Sequence, residues 1–268
     1  MTIIARARFG QGQAAAPTIA TSLYRKSKKA IVRISFTERV IIQQANATGD
    51  FSMATVLNPP EQTEQRVMLQ GISWATYESL LADRVSSSSP HFTYDRGVLE
   101  IMSPSTKHER LNRRIATLVE VIAEEWEIEL DNVGSNTFKR EDLHRGFEPD
   151  TCFYIRNVNR IIDREQIDLK SDPPPDLVIE IDISHSSLDK MPVYAAIGVP
   201  EVWRWEGDRL AIYILADGEY LSAEESTALP LVSGHIITRF IEESQHQKRP
   251  RWLKSVRKWS QQHDKDDQ

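Results

Sequence analysis

The stretch PPPDLVIEIDISHSS, residues 173–187, decides the fold because it predicts one buried strand with two unlike faces. An apolar run that follows prolines and ends in turn-forming residues is typical of a strand. The two-residue period of a strand sorts the side chains into an apolar face with Leu177, Ile179, Ile181 and Ile183, and a second face with Asp176, Val178, Glu180 and Asp182. A helix is predicted directly afterwards, which favours a strand inside a mixed sheet over an exposed edge strand. Carboxylates on such a strand need a chemical explanation.

Length and composition limit that explanation. The chain has 268 residues, 40% of them hydrophobic, which is enough for a substantial core. No uncharged apolar run approaches the roughly 18 residues of a membrane span, so we expect a soluble protein without a membrane partner. Cys152 is the only cysteine, so no internal disulfide can form, and the reducing cytoplasm is the expected compartment. In the apolar context DTCFYI, this cysteine is predicted to be a core residue.

Charge is distributed unevenly along the chain. The formal net charge is -6, but residues 1–52 carry eight Lys or Arg against Glu38 and Asp50, which leaves -12 for the remainder. The leading segment has no sustained period, and a normal protein start follows at Met53. We therefore interpret residues 1–52 as a basic extension that is either disordered or the result of a misplaced start. A nucleic-acid-binding arm and an organelle transit sequence are the alternatives.

The rest of the chain mixes helices and strands without regular alternation, which predicts one α/β domain. Ser73 is the predicted cap of a first helix, Arg96-Gly97 the turn of a hairpin, and the segment after Pro104 a helix of about six turns. Further elements are expected as strands at NTFKRE and PDTCFYI, a short helix at SLDKMPVYAAIG, a meander at EVWRWEGDRLAIYILADGEYLSA, and a basic helix at RPRWLKSVRKWSQQH.

Two more acids lie beside apolar segments. Asp150 follows Pro149 at the start of a strand, and Glu109 lies early in the long helix, at the edge of its apolar stripe. Burying clustered carboxylates is unfavourable unless positive charge compensates them, and a divalent cation is a common compensation. The three acids Asp150, Glu180 and Glu109 are therefore predicted to converge in one pocket.

These residues resemble the PD-(D/E)XK nuclease superfamily. More closely, PDLVIEIDISHSSLDKMPVYAAIGVPEVWRW together with GDRLAIYIL is similar to the Uma-two group of restriction-endonuclease-like proteins, over about residues 66–260. The resemblance implies a restriction-endonuclease-like core, with a central mixed sheet flanked by helices. It also implies a nuclease-like domain at residues 53–260, followed by a polar tail at residues 261–268.

The resemblance implies roles for the acids as well. Asp150 and Glu180 would hold Mg²⁺ or Mn²⁺, with the backbone carbonyl of Ile181 as a third ligand and Glu109 serving a second ion or a water. The superfamily places a Lys two residues after the strand Glu, but Asp182 occupies that position here. Lys190, in the following helix and one turn before Tyr194, is the candidate replacement.

Alternatives remain for several positions. Asp182 could be a further metal ligand, Asp176 is a rival for the role of Asp150, and His108 is either a general base or a packed residue. A decayed nuclease fold that binds nucleic acid or regulates is the alternative to an active enzyme. Hydrolysis of another substrate, such as a glycoside, by Glu109 and Glu180 is a third interpretation.

The implied partner is DNA, and a homodimer is compatible with this interpretation. An acidic protein that binds a polyanion must gather its positive charge locally. The candidate basic residues are Lys107, Arg110, Arg113 and Arg114 on the long helix, and Lys248, Arg249, Arg251, Lys254, Arg257 and Lys258 in the last helix. Either group could equally be a solvated helix face.

Overall fold

A computed structural model describes residues 64–84, 89–183 and 188–263, and the backbone of four short strands before them. These strands form two antiparallel pairs: β1 (Leu23–Arg25) with β2 (Ala30–Val32), and β3 (Gln43–Ala45) with β4 (Phe51–Met53). They belong to a unit that spans Met1–Asn58, and a second unit spans Pro59–Gln268. The interpretation of residues 1–52 falls largely outside the described residues and stays a prediction.

The second unit contains two sheets. The first has the strand order β5-β7-β6-β10-β9, all antiparallel. Its strands are β5 (Gln65–Gln70), β6 (His91–Asp95), β7 (Val98–Ser103), β9 (Phe138–Arg140) and β10 (Arg145–Phe147). The second has the order β15-β14-β13-β12-β11-β8, and only β12 and β13 run parallel. Its strands are β8 (Asp131–Asn132), β11 (Thr151–Tyr154), β12 (Leu177–Asp182), β13 (Glu201–Glu206), β14 (Arg209–Ala216) and β15 (Glu219–Ala223).

Six helices accompany the two sheets in the described part of the unit. They are α1 (Trp74–Asp83), α2 (Thr106–Glu125), α3 (Val158–Ile161), α4 (Met191–Ile197), α5 (Gly234–His246) and α6 (Arg249–Gln262). The hydroxyls of Ser73, Ser105 and Ser233 accept hydrogen bonds from backbone N–H groups in the first turns of α1, α2 and α5, which explains where those helices begin. Within the described ranges, none of the helices is both long and apolar enough to cross a membrane.

The central strand β12 has the two faces that its sequence predicts. Leu177, Ile179 and Ile181 lie in a core formed with α2, α5 and α6. Val178 lies in a second core on the other side, formed with α4. Because β12 is sandwiched between β11 and β13, every residue from Leu177 to Ile181 is buried, and the strand is an interior one. The predicted mixed α/β class, with a mixed sheet flanked by helices, is confirmed.

Most of the predicted elements are present. The hairpin at β6 and β7, the long helix α2, the short helix α4, the three-stranded meander β13–β15 and the basic helix α6 are confirmed. The sequence prediction missed β5, β8, β10, α3 and α5. Three of these contain four residues or fewer, too short for a periodic pattern to develop. Cys152 is fully buried, as predicted.

Gly146 illustrates how the first sheet is packed. Tyr77 of α1 lies in the core of this sheet and stacks on Tyr94 of β6, with ring centroids 4.8 Å apart. A Cβ on Gly146 in β10 would come within 2.4 Å of the Tyr77 hydroxyl oxygen. The absence of a side chain therefore lets α1 pack closely on the sheet.

Candidate active site

The candidate site lies where the chain passes from one sheet to the other. Strand β10 ends at Phe147, and β11 begins at Thr151, so Pro149 and Asp150 form the junction. Proline has no backbone N–H and cannot continue a ladder, which suits it to a position between two sheets. Thr151 pairs with Ile179 in antiparallel register, so Asp150 comes opposite Glu180 of β12. Two carboxylates from distant parts of the sequence thus become cross-strand neighbours.

Asp150 is held by three groups from different elements. His91 Nδ1 of β6 lies 3.1 Å from its Oδ1, and His108 Nε2 of α2 lies 3.0 Å from its Oδ2. The backbone N–H of Ile181 donates to Oδ2 at 2.7 Å. Burial opposes ionisation, but His108, then His91 and Lys190, hold the pKa of Asp150 well below its usual value. Asp150 is therefore a buried carboxylate kept in its charged form.

Glu180 has partners on the other side of the site. Lys190 Nζ donates to its Oε2 at 2.6 Å, and the Tyr194 hydroxyl donates to its Oε1. Burial raises the pKa of Glu180, and the nearby charge of Asp150 adds to this effect, while Lys190 opposes it. The two acids thus differ in their environments: Asp150 is held in its ionised form, and Glu180 is biased towards protonation.

Lys190 occupies the N-cap position of α4 without a capping side-chain hydrogen bond, and its side chain is only 8% exposed. Burial favours its neutral form, but Glu180, then Asp150 and Glu100, raise the pKa of Lys190 above its usual value. The ammonium group therefore stays charged at neutral pH. The sequence placed Lys190 within the helix, but the helix begins one residue later; both Lys190 and Tyr194 nevertheless reach Glu180.

Glu109 lies apart from these residues. Its side chain is 41% exposed and faces Arg113 one turn later on α2, with 3.9 Å between Glu109 Oε2 and Arg113 Nε. The preceding residue, His108, is fully buried and contacts Asp150 instead. Successive helical residues point about 100° apart, so only one of the two can face the sheet. The structure thus brings Asp150, Glu180 and Lys190 together but leaves Glu109 outside.

Asp182, at the position where the superfamily has a Lys, is bound by two arginines. Arg204 Nε of β13 donates to its Oδ2 at 2.6 Å, and Arg66 Nη2 of β5 lies 3.4 Å from its Oδ1. Arg66 also pairs with Glu64 at 2.8 Å and Glu100 at 2.9 Å. Sequence reasoning did not identify Glu64, Arg66, His91, Glu100 or Arg204. The one available signal was Glu100, a lone acid inside the apolar strand VLEIM.

Asp176, the rival for the role of Asp150, stabilises a loop. Its Oδ2 accepts the backbone N–H of Ile155 at 2.8 Å and that of Asn157 at 3.0 Å, and its Oδ1 accepts the Asn157 amide at 2.7 Å. Asp176 lies directly before β12, four residues before Glu180. These bonds explain a buried carboxylate at this position without a metal.

The donor set is compatible with Mg²⁺ or Mn²⁺. Among the described residues, no three His, Cys, Asp or Glu side chains form a ready-made metal cage. Mg²⁺ does not require one, because one or two carboxylates and several waters satisfy its octahedral shell. Asp150 and Glu180 provide such a pair, and Glu180 also lines a small cleft with Lys190, Tyr194 and Arg204. The pair thus supplies hard oxygen donors of the kind that Mg²⁺ prefers, and each of these oxygens now has a protein partner.

A mixed sheet flanked by helices is consistent with the restriction-endonuclease-like class of proteins. The family model described as Uma2, putative restriction endonuclease, matches residues 74–240, and the chain belongs to this family. The match runs from the start of α1 into α5 and so includes His108, Asp150, Glu180 and Lys190. No curated protein matches the chain.

Proposed function

We propose that this protein is a metal-dependent endonuclease that hydrolyses phosphodiester bonds in DNA. The observation that carries the proposal is the cross-strand pair Asp150 and Glu180, with the buried Lys190 ammonium 2.6 Å from Glu180. Membership of a family described as restriction endonucleases supports a nuclease. We place its activity in the cytoplasm, in keeping with a single cysteine that is fully buried.

In this proposal Asp150 and Glu180 hold Mg²⁺ or Mn²⁺, with the Ile181 carbonyl as an additional ligand. A bound divalent ion would neutralise the phosphate charge and make hydroxide available near neutral pH. His91 and the Ile181 N–H orient the Asp150 carboxylate through hydrogen bonds, and His108 Nε2 lies 3.0 Å from it. Such orientation by neighbouring groups is what keeps a ligand in place before the metal arrives.

Lys190 has an electrostatic role in this proposal. A group whose pKa is raised by Glu180 and Asp150 stays protonated, so it cannot accept a proton from water at neutral pH. Its ammonium can instead stabilise the negative charge that develops on the phosphate. Tyr194 donates to the other oxygen of Glu180 and fixes that carboxylate from the side opposite to Lys190.

DNA would approach along the beginning of α2. Lys107, Arg110 and Arg113 are exposed on its first two turns, and His108 on the same turn reaches Asp150. The basic residues of α6 are partly engaged elsewhere, since Arg257 pairs with Glu124 and Glu125, and Arg249 contacts Thr117. We therefore assign the main phosphate-binding surface to α2.

A catalytically decayed nuclease fold is the second candidate. Asp182 in place of the superfamily lysine favours it, as does the fact that Asp150 and Glu180 are already engaged by His108 and Lys190. Glycoside hydrolysis has less support, because Glu109 lies apart from Glu180. Trp203, Trp205, Trp252 and Trp259 are all buried in the core and cannot line a sugar cleft.

A plasmid-nicking assay tests the proposal. The wild type should nick supercoiled DNA with Mg²⁺ or Mn²⁺ and lose this activity in chelator. Asp150→Asn and Glu180→Gln should each reduce nicking at least about a hundredfold, the scale of losing a catalytic electrostatic group. Both variants should still bind DNA, because removing a negative charge lowers repulsion of phosphate. Equal nicking by the wild type and Asp150→Asn would indicate a contaminating nuclease, whereas DNA binding without metal-dependent nicking would favour the decayed fold.

A further inference from the structure

Arg204 is the partly exposed cation at the candidate site. In the parallel register of β12 and β13, Glu180 pairs with Arg204, just as Val178 pairs with Val202. Paired residues project from the same face of a sheet, and Val178 and Val202 share one core. Arg204 therefore lies on the Glu180 face of the sheet, and it lines the same cleft as Glu180 and Lys190.

The two other cations near Asp182 and Glu180 are enclosed by acids. The Lys190 side chain is 8% exposed and is bound to Glu180, and the Arg66 side chain is 9% exposed and pairs with Glu64, Glu100 and Asp182. Arg204 differs, because its side chain is 32% exposed. It is the most accessible of the three and is thus the one that a polyanion outside the cleft can reach.

The guanidinium of Arg204 is oriented by two acids, which contact different edges of it. Asp182 Oδ2 accepts from Nε at 2.6 Å, and Glu206 Oε1 lies 3.4 Å from Nη1. Nη2 has no hydrogen-bond partner among the residues that the structure describes. An arginine held in this way keeps donors for a phosphate oxygen while its side chain is already ordered, so less conformational entropy is lost on binding.

We propose that Arg204 binds a non-bridging oxygen of the DNA phosphodiester at the mouth of the cleft, and that Asp182 is the residue that positions it. This inference rests on the proposed function and adds a substrate-contacting residue to it. It also assigns a role to Asp182, the acid at the superfamily's lysine position, because Asp182 binds Arg204 of the neighbouring strand β13. Positive charge is thereby supplied to the Glu180 face by β13 instead of β12.

The test compares Arg204→Met with Arg239→Met. Arg239 lies on α5, on the opposite side of the sheet, and pairs with Glu243 at 3.7 Å, so it is a matched arginine outside the site. Two measurements are made on the full chain: nicking in Mg²⁺, and binding of a short DNA duplex in chelator at several salt concentrations. Arg204→Met should lower nicking about a hundredfold, the scale of one lost electrostatic donor. It should also weaken binding and reduce the salt slope by about one. Arg239→Met should change neither measurement.

A double-mutant cycle tests the positioning role of Asp182. Asp182→Asn should lower nicking in the wild-type background and have little further effect in Arg204→Met, because it acts through Arg204. Additive losses would show that Asp182 has a separate structural role and would overturn its assignment. Wild-type binding and an unchanged salt slope in Arg204→Met would overturn the phosphate contact. The binding measurement does not depend on cleavage. If the wild type binds DNA without nicking it, the proposed endonuclease function is wrong, and the Arg204 phosphate contact is still decided by the binding of Arg204→Met.

Discussion

Lys190 and Glu180 form a buried ion pair between consecutive elements of the fold, with 2.6 Å between Nζ of the helix cap and Oε2 of the strand residue. Glu180 lies on β12, and Lys190 lies just before α4, the next helix in the chain. The ammonium group of Lys190 therefore contacts an acid on the strand that precedes its own helix. The pair compensates buried charge and at the same time contributes to the proposed reaction site.

Removing this cation should destabilise the protein. Lys190→Met leaves Glu180 and Asp150 buried with less compensation, and breaking a buried ion pair costs about 3–5 kcal/mol. Thermal unfolding should show a clearly lower midpoint for Lys190→Met than for the wild type. The double variant Lys190→Met/Glu180→Gln should recover part of the loss, since the uncompensated charge is then gone. No recovery in the double variant would mean that the two residues are not energetically coupled.

Glu109 and Glu180 should respond differently to loss of charge. Glu109 is half exposed and next to Arg113, whereas Glu180 is buried with Lys190. We expect Glu109→Gln to nick DNA within about twofold of the wild type, because surface ion pairs contribute little energy. Glu180→Gln, assayed in parallel, should be inactive. If Glu109→Gln were as inactive as Glu180→Gln, Glu109 would be needed for cleavage although it lies apart from Glu180 in the structure.

The basic face at the start of α2 should determine DNA affinity. Replacing Lys107 and Arg110 together with Gln should weaken binding across unrelated sequences and lower the salt slope by about two, roughly one for each lost phosphate contact. Lys170→Gln, an exposed substitution on a remote turn, is the control. The measurement is duplex binding by fluorescence anisotropy at several salt concentrations. If the salt slope of DNA binding changed equally in Lys170→Gln, the affinity would depend on the total charge of the protein and not on a defined surface on α2.

Gly146 should not tolerate a side chain. Gly146→Ala brings a Cβ within 2.4 Å of the Tyr77 hydroxyl oxygen and should cost about 1–3 kcal/mol of unfolding free energy through overpacking. Tyr77→Phe removes an oxygen that is buried without a hydrogen-bond partner among the described residues, so it should be nearly neutral alone. It should also relieve part of the Gly146→Ala defect. Chemical denaturation of the three variants tests this packing relationship.

Residues 1–52 should be removable without loss of stability in the remainder. The change of charge at Met53 motivates this prediction, and the division of the chain at Asn58 lies close to it. Residues 53–268 should unfold at the same midpoint as the full chain. A clearly lower midpoint for the shortened form would show that the leading segment contributes to the stability of the second unit.

Local sequence was sufficient for most of the longer elements and for part of the site. The alternation in LVIEID determines the two faces of β12, since successive side chains of a strand must point to opposite sides. The same reasoning identified Asp150 and Glu180, each next to an apolar run, whereas Lys190 was a candidate only through the family resemblance. The Ser73 cap and the Arg96-Gly97 turn were likewise predicted, because helix starts and tight turns depend on a few adjacent residues.

Only the tertiary structure decided which of these side chains meet. The choice between His108 and Glu109 depends on the rotation of α2 against the sheet, which a difference of one residue in the helical pattern does not resolve. Asp182 and Arg66 are 116 residues apart and belong to different sheets, so no local pattern connects them. Arg204 reaches Asp182 because β12 and β13 are paired in parallel register. Periodicity is a property of neighbouring residues, whereas compensation of buried charge depends on how distant strands and helices pack together.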